Sequence, residues 1–237
     1  MHIIGHRGAR GEAPENTLAG FQYLSDLGIQ AVEFDVRQLT DTSLVVMHDD
    51  NFLRTTGIDQ DLYTSTVEQL NTFNQAHIWM DWPAQVTPLL MPCLNIMKHF
   101  NHIEVEVKAV SSPEAAERLI DVLERQLQGF EHSATITSFD LQILTALAQR
   151  QSPFKRGLLV ENATHPDPIQ LACDLGCSQI GWMDALATAI NIQNTHAAQL
   201  AVSVWTVNNI ERAKQLSNLG IQGLITDFPK MMRDALS

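Results

Sequence analysis

Two acidic runs stand out in this chain: Glu33-Phe34-Asp35 and Glu104-Val105-Glu106-Val107-Lys108. In a strand, residues i and i+2 share a face. Glu33 and Asp35 therefore point one way, and so do Glu104, Glu106 and Lys108. Carboxylates held that close repel unless a cation sits between them. All-oxygen donors suit one hard divalent cation, Mg²⁺ or Ca²⁺, better than zinc. The plainer reading, a Lys108–Glu106 pair, leaves two acidic strand ends at one mouth as costly scaffold. His6-Arg7-Gly8 and His48-Asp49 bring proton transfer, because a His titrates at about 6.5. Arg7 offers a planar fork for phosphate oxygens and Lys108 a point charge. Gly8 lets the backbone approach closely. A cation, two basic side chains and two His together describe phosphoryl chemistry without a nucleophilic Ser or Cys.

These residues need elements that bring them to one place. Strand-like runs occur at His2–Gly5, Ala31–Val36, Leu44–Met47, Ile103–Val107, Ala134–Thr137, Gly157–Val160, Ser178–Gly181, Val202–Thr206 and Gly223–Thr226. Helical patterns lie between most of them, at Asn16–Leu27, Pro113–Gln128, Pro168–Leu175 and Ile210–Leu219. Each stops at a Gly, and the first three also have Pro near the start. Strand alternating with helix predicts βαβ units and a parallel sheet. The link from Arg37 to Ser43 is too short for a parallel crossover. Leu44–Met47 is therefore expected to fold back as a hairpin arm on Ala31–Val36. Removing it leaves eight strands, an α/β chain folded as a (β/α)8 TIM barrel. A turn at Thr40–Ser43 puts Leu39 opposite Leu44 and His48 opposite Asp35, at the barrel rim. The stretch at about 49–102 exceeds an ordinary βα connection. It reads as a segment inserted after the second barrel strand, in a single domain of residues 1–237. It either walls the active site and selects the leaving group, or is a packing excursion with its own small core.

Composition narrows the partners. The chain has 237 residues, 45% of them hydrophobic and 18% charged, which excludes a disordered chain. Fifteen Lys and Arg against 27 Asp and Glu give a net charge of −12, so nucleic-acid binding is not expected. No apolar run approaches the roughly 20 residues of a membrane helix, so no stable membrane anchor is expected. The first residues read as a strand beginning at once, with no signal peptide pattern. Three Cys do not describe a disulfide framework and favour a reducing compartment, the cytoplasm.

The ordered blocks of the chain resemble the glycerophosphodiester phosphodiesterases. They are His6-Arg7-Gly8, Pro14-Glu15-Asn16-Thr17 with Phe21, Glu33-Phe34-Asp35-Val36, Val46-Met47-His48-Asp49 and Arg54-Thr55-Thr56. Glu106-Val107-Lys108, Ser138-Phe139, Trp205-Thr206-Val207-Asn208 and Thr226-Asp227-Phe228-Pro229 follow. Each block is weak alone, but their order across nearly the whole chain is specific. The resemblance implies metal-dependent cleavage of a small-molecule glycerophosphodiester to glycerol 3-phosphate and an alcohol. It implies Glu33, Asp35 and Glu106 as ligands of one divalent cation, Mg²⁺ or Ca²⁺. It implies His6 and His48 as general acid and base, and Arg7 and Lys108 as phosphate holders. It implies Phe139 and Trp205 as apolar walls near the substrate. Glu15 and Asn16 open a helix first of all, with a supporting role behind the site left open. Glu104 stands where the family often has Asn, a fourth carboxylate that either reaches the metal or sits below it. Thr42 and Ser43 replace the usual Gly of the hairpin turn, and Gly57 follows Thr56 without the usual Asn.

Two rival functions remain at this point. A lysophospholipase-D-like phosphodiesterase would share the barrel and both His but want an exposed apolar surface. A non-catalytic phosphodiester-binding barrel would have lost a His or an acid, and all five are present. Barrels often pair, which leaves a homodimer open.

Overall fold

Short runs rich in Ile, Val and Leu form the strands, and polar caps start the helices between them. Thr17, Ser112, Asp140 and Asn209 each accept a hydrogen bond from a first-turn backbone N–H of the helix that follows. The computed structural model describes residues 1–162 and 167–236. Its strands are β1 (His2–Gly5), β2 (Ala31–Gln38), β3 (Leu44–Val46), β4 (His102–Val107), β5 (Ala134–Ser138), β6 (Lys155–Val160), β7 (Gln179–Met183), β8 (Ala201–Trp205) and β9 (Gly223–Thr226). The order is β1-β9-β8-β7-β6-β5-β4-β2-β3, and β1 also pairs with β2. Eight parallel strands therefore close into a barrel, with β3 added antiparallel to β2. This is the expected (β/α)8 architecture.

The helices are α1 (Leu18–Asp26), α2 (Leu53–Thr56), α3 (Val67–Leu70), α4 (Leu90–Ile96), α5 (Pro113–Gln126), α6 (Leu141–Gln149), α7 (Pro168–Asp174), α8 (Ala189–Ala197), α9 (Ile210–Asn218) and α10 (Pro229–Leu236). Helix α5 carries its apolar residues at Ala116, Leu119, Ile120 and Leu123, one buried stripe at helical spacing. That stripe joins Val105, Val107, Ile136 and Leu144 in the main core between strands and helices.

The hairpin differs from expectation by one residue. Val36 pairs with Val46 and Gln38 with Leu44, and the Met47 N–H donates to the Asp35 carbonyl. Met47 rather than His48 lies opposite Asp35. The cause is the turn. Leu39 N–H donates to Ser43 O at 2.9 Å and Thr42 N–H to Leu39 O at 3.0 Å, enclosing a three-residue loop. Such loops close with a left-handed residue, and Thr42 takes that place at φ 73°. Leu39 therefore faces Ser43, not Leu44.

The long stretch after β3 has two parts. Leu90, Cys93, Leu94 and Met97 belong to the main core, and α4 packs beside α1 as a barrel helix. Upstream, Phe52, Leu62, Leu70 and Phe73 form a separate small core with Leu39, Val45 and Met47 of the hairpin. The chain then runs back along β3, where Val45 bridges Leu89 and the Val46 N–H donates to Pro88 O at 2.9 Å. No described helix is long and apolar enough to cross a membrane.

Candidate active site

Strand alternation turns Glu33 and Asp35 inward from β2, and the β2–β4 register sets Asp35 beside Glu106. One oxygen from each of the three carboxylates lies within 4.8 Å of the others. Glu33 and Asp35 are buried, and Glu33 Oε1 has no hydrogen-bond partner among the described residues. Burial raises the Glu33 pKa well above the usual range, and repulsion from Asp35 and Glu106 adds to it. Glu106 is also raised, by burial and by Asp35. Burial pushes Asp35 up too, but Lys108 and Arg7 pull it further the other way, below the usual carboxylate range. Lys108 Nζ sits 2.6 Å from Asp35 Oδ1 and also pairs with Glu106. Three clustered carboxylates and an orphaned buried oxygen fit a hard divalent cation. Glu104 also lines the cleft but lies outside this cluster: its Oε1 lies 3.0 Å from His102 Nε2, and its Oε2 takes the Ser203 hydroxyl at 3.5 Å.

His6 follows β1 directly, and closure of the barrel brings it beside the end of β9. Its Nδ1 lies 2.6 Å from Asp227 Oδ1, which leaves Nε2 3.9 Å from Glu33 Oε2. Burial lowers the His6 pKa, with Asp227 opposing that shift. Asp227 falls below the usual carboxylate range: burial is the largest influence and raises it, but His6, Asn208 and Arg10 together outweigh that. Arg7 adopts φ 50°, and its N–H donates to Glu33 Oε2 at 2.9 Å. The chain doubles back so tightly that a Cβ on Gly5 would lie 1.9 Å from Gly8 O. Gly8 itself takes φ 90°.

The second histidine is built alike. His48 Nδ1 lies 2.5 Å from Asp49 Oδ1, and the His48 carbonyl accepts from Arg37 Nε at 2.9 Å. Asp49 is tied to Arg54 at 2.6 Å, and Arg54 forks onto both oxygens of Glu15. Glu15 also takes Arg7 at 3.0 Å and Arg10 at 3.1 Å. This one carboxylate, 1% exposed, gathers three arginines, and Arg54 carries the link to Asp49 beside His48. Burial alone would raise its pKa, but Arg54 and Arg7 pull it below the usual value. Asn16, at φ 53°, donates to Asp35 Oδ2 at 2.8 Å.

Phe139 and Trp205 meet edge to face, ring centroids 5.4 Å apart, and the Trp205 indole donates to Gly181 O. The cleft beneath them measures about 230 Å³. His6, Arg7, Glu33, His48, Glu106, Lys108, Phe139 and Trp205 all line it, and Asp35 is buried against Arg7 and Lys108. All nine residues singled out in the sequence thus come together. Sequence reasoning missed Asp227 and Asp49 as histidine partners, Arg10 as a lining residue and Thr137, whose buried hydroxyl has no partner among the described residues. Asp227 had a signal: in a closed barrel the last strand adjoins the first, and Gly5 pairs with Thr226.

Residues 6–231 match the model of the glycerophosphoryl diester phosphodiesterase family. The chain belongs to this family. A glycerophosphodiester phosphodiesterase of Bacillus altitudinis is 26% identical over 96% of this chain and 94% of its own. One from Caldanaerobacter subterraneus is 26% identical over 97% and 95%. Among solved structures, an Oleispira antarctica phosphodiesterase in complex with the product sn-glycerol-3-phosphate superposes with a TM-score of 0.87. It is 23% identical and covers 100% of this chain and 96% of its own. A glycerophosphodiester phosphodiesterase from Agrobacterium tumefaciens gives 0.82 at 21% identity over the full length of both chains. These structural likenesses establish the shared barrel.

Proposed function

We propose that this protein hydrolyses glycerophosphodiesters to glycerol 3-phosphate and an alcohol. The observation that carries the reading is the pairing of two histidines with two carboxylates around one acidic cluster. His6–Asp227 and His48–Asp49 both face the cleft that holds Glu33 and Glu106. A carboxylate on Nδ1 fixes the tautomer and leaves Nε2 to exchange protons. One histidine takes the proton of the attacking hydroxyl, and the other gives a proton to the departing alcohol oxygen. The phosphorus–alcohol bond breaks, and one water is consumed per turnover. The attacking hydroxyl belongs to water or to the glycerol itself, the second route closing a cyclic phosphate that water then opens.

Glu33, Asp35 and Glu106 would hold one divalent cation, Mg²⁺ or Ca²⁺, which supplies positive charge against the phosphate oxygens when bound. Arg7 and Lys108, each against a different oxygen of Asp35, orient the phosphate. Phe139 and Trp205 exclude water from the bound substrate. The complex of the Oleispira relative with sn-glycerol-3-phosphate supports this choice of product. The test is release of glycerol 3-phosphate by the protein and by its His6→Ala and His48→Ala variants. Each variant should lose about 10²–10⁴-fold in kcat. Near-normal turnover in both would overturn the assignment.

A further inference from the structure

A second cavity, about 470 Å³, adjoins the cleft, and Lys108 lines both. Its walls come from the β2–β3 hairpin (Arg37, Thr40), from Tyr63 in the inserted stretch, and from Arg118 on α5. The cleft alone, about 230 Å³, is smaller than the roughly 300–1,000 Å³ that ligand pockets usually provide. A diester with a bulky alcohol needs more room, and the neighbouring cavity supplies it on the Lys108 side.

The charge of that cavity runs against the charge of the protein. The chain carries 27 acids and 15 bases, yet no Asp or Glu is among the described residues lining the cavity. Arg37 donates to the His48 carbonyl at 2.9 Å and to the Tyr63 hydroxyl at 2.6 Å. Those partners are neutral, so its charge is not cancelled by a carboxylate. Arg118 has no ion pair among the described residues; Glu114, one turn earlier on α5, acts on it only through space. Two guanidiniums without carboxylate partners among the described residues, on different walls of one cavity, form a local positive field. Guanidinium geometry suits phosphate and carboxylate groups.

We propose that this cavity receives the alcohol half of the substrate, and that Arg37 and Arg118 favour alcohols bearing a phosphate or carboxylate. The inference rests on the phosphodiesterase reading of the cleft. It ranks glycerophosphoinositol 4-phosphate above neutral glycerophosphoglycerol and cationic glycerophosphocholine. Glycerophosphoserine tests whether a carboxylate serves as well as a phosphate.

The experiment compares kcat and KM on these four diesters for the wild type, Arg118→Glu and Arg118→Lys. Arg118 is exposed and outside the catalytic cleft, so the variants should fold and keep the wild-type kcat on glycerophosphocholine. The wild type should favour the inositol phosphate diester over the choline diester at least tenfold in kcat/KM. Arg118→Glu should raise KM for the anionic diesters tenfold or more and leave their kcat unchanged, and Arg118→Lys should retain most of the preference. The preference should shrink as salt is raised. Equal kcat/KM across the charge series, or an Arg118→Glu effect shared by all four diesters, would overturn the proposal. If the wild type were silent on every diester, the phosphodiesterase reading would fail first. Calorimetric titration with inositol 1,4-bisphosphate would then decide the cavity by itself. Binding lost in Arg118→Glu supports an anion site, and binding absent or unchanged refutes it.

Discussion

Replacing Asp227 by Asn keeps the size of the side chain and reverses the polarity of one hydrogen bond. Asn208 dictates how the new amide must lie. Its Oδ1 accepts the backbone N–H of residue 227 at 2.9 Å and the Thr226 hydroxyl at 3.0 Å, which leaves Nδ2 to donate to Asp227 Oδ2 at 2.8 Å. An Asn at 227 must therefore turn its carbonyl to Asn208 and its NH₂ to His6. His6 Nδ1, now 2.6 Å from a carboxylate, would have to accept, and its proton would move to Nε2. Loss of the charged hydrogen bond costs about 1.5–3 kcal/mol, roughly 10- to 150-fold in rate. The wrong tautomer extends the loss toward about 10⁴-fold. Asp227 also opposes the burial that lowers the His6 pKa. Without it, the limb of the pH–kcat/KM profile that belongs to His6 should move to lower pH. Glycerol 3-phosphate release across pH, with thermal unfolding as a check on folding, measures both effects. A variant with kcat within threefold of wild type and an unshifted profile would refute the account of His6.

Two further outcomes follow from the buried charges. Glu33 and Glu106 have folded-state pKa values above the usual 4.5, so the folded metal-free protein keeps protons that the unfolded chain sheds. Their contribution is present below about pH 4.5 and is lost as pH rises through the raised values. The gain in Tm on adding Mg²⁺ or Ca²⁺ should therefore grow from acid to neutral pH, and a gain independent of pH would count against the ligand set. Glu15→Gln removes the one carboxylate shared by Arg7, Arg10 and Arg54. Breaking a buried ion network of this kind should cost about 3–5 kcal/mol in urea unfolding, and a loss under 1 kcal/mol would mean the arginines repartner.

The strands were legible because each is a compact apolar run between turn residues, and all nine appear where periodicity puts them. The hairpin register was not, because it depends on a left-handed Thr42, a conformation that a β-branched residue rarely signals. Glu33, Asp35, Glu106 and Lys108 were legible because strand alternation converts sequence spacing into direction; His6, Arg7 and His48 stood out by following strands, and Phe139 and Trp205 only by the family resemblance. Their supports could not be found that way. Glu15 meets Arg54 across 39 positions and His6 meets Asp227 across 221, separations bridged by tertiary packing rather than by strand spacing. The inserted stretch was legible as a length and little else, since its small core of Phe52, Leu62, Leu70 and Phe73 follows no single period.

The strand appended to the barrel rim has a further consequence for how the protein behaves in a crowded solution. A closed barrel has no free sheet edge, but β3 reopens one, and its residues Leu44, Val45 and Val46 are all apolar. The returning chain at Pro88 and Leu89 covers that edge. Pro88 has no N–H to offer, so the covering segment cannot itself extend the sheet at that position. The stretch after β3 thus shields an apolar sheet edge from other chains. Shortening it to widen the cleft would uncover an apolar edge suited to pairing between chains, and such trimmed proteins should aggregate before any change in specificity could be read.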